Sequence, residues 1–146
     1  LGDVTSVTAT GQHLDPALAG SGDFDGAVIV LQTATSAVAT IVNSRHCATG
    51  YDQRLEAFGP KGSILAENHR PTTVRLSTAA SSDAQDPYLD FFLERYADAY
   101  REELTAFIDA VVAGRPVSPT VADGIAALRT AEAAAQSART GRTVHL

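Results

Sequence analysis

Near Pro87 the spacing of apolar residues changes from alternation to steps of three and four, and that change limits the folds open to this chain. Before it, segments rich in β-branched residues recur: Asp3–Gly11, Gly26–Ala34, Ser36–Arg45, Tyr51–Gly59, Ser63–Asn68 and Thr72–Thr78. Connections this short predict neighbouring antiparallel strands in a meander, with a hairpin joining the second and third. Ala79–Pro87 is polar and predicts a loop. After it, Leu93, Tyr96, Tyr100, Leu104, Phe107, Ile108 and Val111 fall on one helical face, and Gly114 and Pro116 end that helix. Past Pro119, Thr120 with Asp123 three residues on predicts a capped second helix. Its inner face should carry Val121, Ile125, Leu128, Ala131 and Ala135, with Gly141 as its stop and a last short strand in Thr143–Leu146.

Strands first and helices after describe an α+β domain: one open, mainly antiparallel sheet with two helices packed on one face. Such a sheet should alternate apolar and polar residues, yet Ala27, Ile29 and Leu31 point one way while Val28 and Val30 point the other. Val38 and Val42 similarly lie opposite Ala37, Ala39 and Ile41. Two helices can cover one face only, so the second is expected to meet another subunit or domain, the alternative being a twisted sheet partly covered by its own loops.

With 146 residues the chain fits one domain. It carries 45% hydrophobic and 19% charged residues, a globular balance. Its net charge of -6, from 11 basic and 17 acidic residues, argues against nucleic-acid or anionic-membrane partners. No apolar run is long enough to cross a membrane as a helix. The single cysteine, Cys47, cannot pair internally and points to a reducing, cytoplasmic compartment. Methionine is absent throughout, so the chain is expected to be an excerpt, the C-terminal part of something larger.

No Gly-x-Gly-x-x-Gly, phosphate-binding loop or Gly-x-Ser-x-Gly elbow occurs. His13, His46, His69 and His145 lack ligand spacing, so no metal is expected. Arg45-His46-Cys47 invites an activated thiolate, but no base or orienting group accompanies it and a structural cysteine is the simpler reading. On a strand, Asp52, Arg54 and Glu56 would share a face, about 6.6 Å apart, as a polar ladder. Tyr51, entering that strand after Gly50, could line a pocket for a hydroxylated ligand or pack its ring on a helix.

Three stretches together carry a family likeness: GYDQRLEAFGPKGSI, the aromatic helix DFFLERYADAYREELTAFIDAV, and SPTVADGIAALRTAEAAAQSARTGRTVHL. From Asp3 onward the chain resembles the C-terminal α/β domain of the Gfo/Idh/MocA oxidoreductases, and among them the inositol 2-dehydrogenases. The resemblance implies an N-terminal Rossmann domain, absent from this chain, that binds NAD or NADP. It also implies that the catalytic lysine, aspartate and histidine lie outside these residues, so that 1–146 form a single substrate-side and oligomerisation domain. On this likeness the chain alone binds no cofactor and is inactive, while the full-length enzyme oxidises a polyol such as myo-inositol or a related sugar. Tyr51 would reach the polyol, Phe91 or Phe92 would border the pocket, and the open sheet face would join homo-oligomers. The alternative is a non-catalytic α+β module that dimerises or binds a small ligand.

Overall fold

The computed structural model describes residues 2–146, in two compact units. The first comprises the described residues up to His46 together with Val117–Leu146; the second, Cys47–Pro116, is inserted between them. The fold class is the expected one, α+β with antiparallel pairing, but the strands divide among three sheets.

In the first unit, β1 (Val4–Gln12), β2 (Gly26–Thr33), β3 (Val38–Ser44) and a short C-terminal strand (Val144–His145) form a sheet in which β1 and β2 are central. The expected hairpin is β2–β3, with Val28 opposite Val42 and Val30 opposite Thr40. The C-terminal helix, Val121–Thr140, lies on one face of this sheet. Its Ala133 and Ala134 form a buried core with Val7, Ala9 and Leu31, flanked by Val4, Ile29, Ala39, Ala138 and Val144. Small residues on the helix let its backbone come close to β1. The predicted cap is present in full: the Thr120 hydroxyl accepts from the Asp123 N–H, and the Asp123 carboxylate accepts from the Thr120 N–H at 2.6 Å. Gly141 ends the helix at φ 67°.

The inner face of this helix differs from the predicted one. Val121, Ile125 and Leu128 are exposed, at 81, 49 and 59%. At about 100° per residue they lie roughly opposite Ala133, Ala134 and Ser137, which face the sheet. Hydrophobicity alone selected the stripe of large residues, whereas close packing on the strands selected the small ones.

Ser137, fully buried, serves a specific need. The last strand pairs with β1 only at Ser6 and Val7, leaving the Ala9 N–H beyond its end. The Ser137 hydroxyl accepts that N–H at 2.9 Å, replacing the missing ladder bond. Asp25, 2% exposed, plays a comparable part in the loop between β1 and β2. Its carboxylate accepts the backbone N–H groups of Asp15, at 2.6 Å, and Leu14.

The second unit contains β4 (Leu55–Gly59) paired with β5 (Gly62–Ala66), and β6 (Arg75–Leu76) paired with β7 (Ala84–Gln85). The sequence pattern predicts a loop at Ala84 and Gln85 and a fourth strand starting at Tyr51, whereas the structure has a strand at the first and begins β4 at Leu55. Residues 51–54 are instead irregular because their polar groups bond elsewhere, as described below. The long aromatic helix is broken in two: α1 (Phe92–Arg95) and α2 (Ala97–Val112), with Tyr96 between them at φ -109°, ψ 11°. The C-terminal helix of the first unit is accordingly α3, and the last strand β8.

Ser137→Ala strands the buried Ala9 N–H and should lower the unfolding free energy by about 1–3 kcal/mol, measured by denaturant titration. The Asp25 carboxyl is held below its usual range, chiefly by the Asp15 N–H and then, against the opposing effect of burial, by that of Leu14. A depressed folded value adds stability above the unfolded pKa, about 3.9, that is lost as pH falls through the folded one. Acid unfolding of Asp25→Asn should therefore show a flatter pH dependence below about pH 4 than the parent chain.

Candidate functional site

The candidate site lies in the second unit, around the segment that leads into β4. Gly50 has φ 108°, and a Cβ there would stand 3.1 and 3.2 Å from the carbonyl oxygens of Tyr88 and Leu89. Only glycine permits this approach without strain. It lets the Tyr51 N–H bond the Leu89 carbonyl at 3.0 Å, while the Leu89 N–H bonds the His69 carbonyl at 3.0 Å. The 88–90 segment is braced in turn by Arg70, whose guanidinium sits 4.0 Å from the Tyr88 ring centre and donates to the Asp86 carbonyl.

On the other side of Tyr51, Arg54 donates to both oxygens of Asp52 at 2.8 Å. The Asn68 amide donates to the same carboxylate at 2.6 Å and accepts the Gln53 N–H at 2.7 Å. The Arg54 bonds, followed by that of Asn68, hold the Asp52 carboxyl below the usual carboxylate range. The expected ladder of Asp52, Arg54 and Glu56 on one strand face is thus replaced. Asp52 and Arg54 form a fork-to-fork pair outside any strand, and only Glu56 lies within β4. Tyr51 is therefore pinned from both sides by bonds that leave its own side chain free.

Tyr51 is 37% exposed, and its ring meets that of Tyr96 edge-on, with centres 5.6 Å apart and planes at 84°. Tyr96 is half-buried and touches Tyr100 at 6.1 Å, with the Arg95 guanidinium 5.5 Å from its ring. Burial, with Tyr51 next, raises the Tyr96 phenol above its ordinary value. The Nε of Arg95 is buried without a hydrogen-bond partner. Phe91 is exposed and Phe92 half-buried; their rings contact each other at 4.5 Å. Tyr51–Tyr96 and Phe91–Phe92 are separate ring pairs. Sequence reasoning missed Tyr96 because its three- and four-residue spacing with Leu93 and Tyr100 matched an ordinary helix stripe.

The other candidates disperse. Arg45 pairs with Asp23 at 2.7 Å and His46 with Asp15 at 2.8 Å, so neither serves Cys47. Cys47 is exposed, and its thiol is drawn below its ordinary pKa by hydrogen bonding to Thr49. No three His, Cys, Asp or Glu side chains converge on a metal-sized site among the described residues. A groove of about 600 Å³ in the first unit is lined by Gln136, Thr140, Arg142, Thr143, Val144 and His145, and contains none of the three predicted site residues. No described helix is long and apolar enough to cross a membrane.

A dinucleotide fold needs parallel βαβ units with a glycine-rich turn. Every described strand pair here is antiparallel, so these residues do not fit such a site.

Residues 1–146 match the family described as the oxidoreductase family, C-terminal alpha/beta domain. The chain is 42% identical over 142 residues to an inositol 2-dehydrogenase of Rhizobium meliloti, covering 97% of this chain and 43% of the relative. A crystal structure of a myo-inositol dehydrogenase from Corynebacterium glutamicum superposes with a TM-score of 0.94 at 47% identity, over 99% of this chain and 44% of the other. The structure of GenD2 from gentamicin A biosynthesis in complex with NAD is more distant, with TM-score 0.74 and 27% identity, over 99% of this chain and 42% of that one. The chain thus spans less than half the length of the relatives it matches.

Proposed function

Because the chain belongs to the C-terminal alpha/beta domain family of the Gfo/Idh/MocA oxidoreductases, we propose that it forms the substrate side of an NAD(P)-dependent polyol dehydrogenase, with myo-inositol or a related cyclitol as substrate. The observation that carries this reading is the presentation of Tyr51. A phenol is braced from both flanks while its side chain stays partly open to solvent. A polyol needs neutral hydrogen-bond groups to read its hydroxyls and an aromatic or apolar wall for its C–H face. Tyr51 offers the first, and Phe91 or Phe92 the second.

Oxidation of a secondary alcohol removes a hydride and a proton, and these residues offer neither a dinucleotide site nor a base beside Tyr51. In this reading both come from the N-terminal Rossmann domain and its junction, with NAD, as in the GenD2 complex, or NADP as acceptor. The chain alone is then inactive. The unpaired cysteine supports a cytoplasmic setting.

The second part of the proposal concerns assembly. The sheet face turned away from α3 carries Val28, Val30, Val38 and Val42, between 42 and 74% exposed, with Thr8, Thr10 and Thr40 among them. Such a β-branched surface suits burial against a second copy.

In the full-length protein, Tyr51→Phe should lower kcat/KM for inositol by about 1–3 kcal/mol, roughly 5- to 150-fold. An unchanged value would remove Tyr51 from the pocket, and a total lack of NAD(P)-dependent polyol oxidation would favour the non-catalytic module. Light scattering should give a mass above one chain that falls for Val30→Lys with Val42→Lys. A mass indifferent to both substitutions would count against the sheet face as the interface.

A further inference from the structure

Resting on the reading of this chain as the substrate side of a two-domain dehydrogenase, we propose that the apolar face of α2 is the surface on which the nucleotide-binding domain docks, with Arg95 as its polar anchor. At about 100° per residue, Tyr96, Tyr100, Leu104, Phe107 and Val111 fall within about 80° of the helix circumference. Asp98, Glu102 and Asp109 lie roughly opposite them, so α2 is amphipathic. Such a helix ordinarily turns its apolar row inward, yet Tyr100, Leu104, Phe107 and Val111 are 49 to 60% exposed. Only Ala110 of α2 is buried. A contiguous row of large apolar side chains at the surface marks an interaction site rather than chance exposure.

The place of this row decides what covers it. Its first residue, Tyr96, meets the Tyr51 ring edge-on with centres 5.6 Å apart, and Tyr100 at 6.1 Å. The row thus runs without interruption from the pocket residue along α2. Hydride transfer requires the reacting carbon and its acceptor to come within about 3–3.5 Å of each other. A nucleotide held by a separate domain reaches a substrate at Tyr51 only if that domain seats against the surface beside Tyr51, and the row on α2 is the apolar surface there. The matched residues make up 43 and 44% of two relatives, so a large remainder of the polypeptide is available to fill this role. A second copy has its own proposed place, the valine-rich sheet face of the first unit.

Arg95 adds a polar requirement to the apolar one. Its guanidinium stands 5.5 Å from the Tyr96 ring centre, at the head of the row, and its Nε is buried without a hydrogen-bond partner. The nearby Asp98 pairs with Arg101 at 2.6 Å, and no ion pair among the described residues includes Arg95. A half-buried cation has lost part of its hydration and is stabilised by an acceptor brought to it. The docking domain therefore presents an apolar patch to α2 and a carboxylate or backbone carbonyl to the Arg95 guanidinium.

Photo-cross-linking in the full-length protein tests the idea. With p-benzoylphenylalanine in place of Phe107, irradiation should yield peptides joining position 107 to the nucleotide-binding domain of the same chain, independently of protein concentration. Adding Arg95→Gln should cut that yield several-fold, and Arg95→Lys, which keeps the charge, should cut it less. Leu104→Lys with Val111→Lys should lower kcat/KM for inositol roughly 10- to 100-fold and leave the Kd for NAD unchanged, since the nucleotide site itself is intact. Cross-links between two chains, seen as a doubled mass on a denaturing gel, would give the face to a second copy and overturn the proposal. So would cross-links confined to residues 1–146, or an unchanged kcat/KM in the double variant. A yield indifferent to Arg95→Gln would overturn the anchor. If the unsubstituted protein oxidised no polyol, the functional reading would fall, and the cross-links alone would decide the docking.

Discussion

The contact between β1 and α3 is the constraint on which the first unit depends, because it joins the two ends of the chain. Ala9 and Ser137 are 128 residues apart in sequence and one hydrogen bond apart in space. The whole second unit, Cys47–Pro116, lies in the loop that this contact closes. Closing a long loop adds little entropy beyond that of a short one, since the cost grows only with the logarithm of length. A large insertion is therefore tolerable provided the closing contact is specific. Its specificity comes from small residues. Ala133, Ala134 and Ser137 admit no substitute of larger volume without pushing the helix away from Val7 and Leu31.

That choice of small residues has a consequence for the rest of α3. A helix that turns its alanines inward must carry its large apolar residues elsewhere, and Val121, Ile125 and Leu128 end on the outer side. The sheet repeats the pattern, with its helix face closed by α3 and Val28, Val30 and Val42 on the open face. In the proposed assembly, the valines of the open sheet face are the residues that a second copy would cover.

Much of this was legible in the residues. Their β-branched content located β2 and β3, because two such segments separated by a short turn have few alternatives. The cap of α3 was legible because Thr120 and Asp123 satisfy each other locally, without help from tertiary structure. The inner face of α3 was not legible. Hydrophobic periodicity measures which residues avoid water, and here close approach mattered more than apolar area. The start of β4 was misplaced for a related reason. Tyr51, Asp52, Gln53 and Arg54 alternate as a strand would, but their partners Leu89 and Asn68 are distant in sequence, and those bonds outcompete a ladder. Of the site, Tyr51 stood out by its residue type and its place after Gly50. Tyr96 did not, since its spacing is that of any amphipathic helix.

The chemistry of the site bears on what such a domain can contribute. Asp52 and Arg54, the charged residues flanking the pocket candidate, neutralise one another in a two-bond fork and so offer a ligand no net charge. Beside them Tyr51 presents a partly exposed phenol. A neutral donor suits a neutral polyol, because a free charge would have to be desolvated on binding without an opposite charge to compensate it. It would also favour charged metabolites over the cyclitol. In the proposed enzyme, the hard electrostatics needed to move a hydride and a proton belong to the nucleotide side. On that proposal Asp52 and Arg54 serve to hold Tyr51 in place, and recognition and chemistry would be divided between two folds.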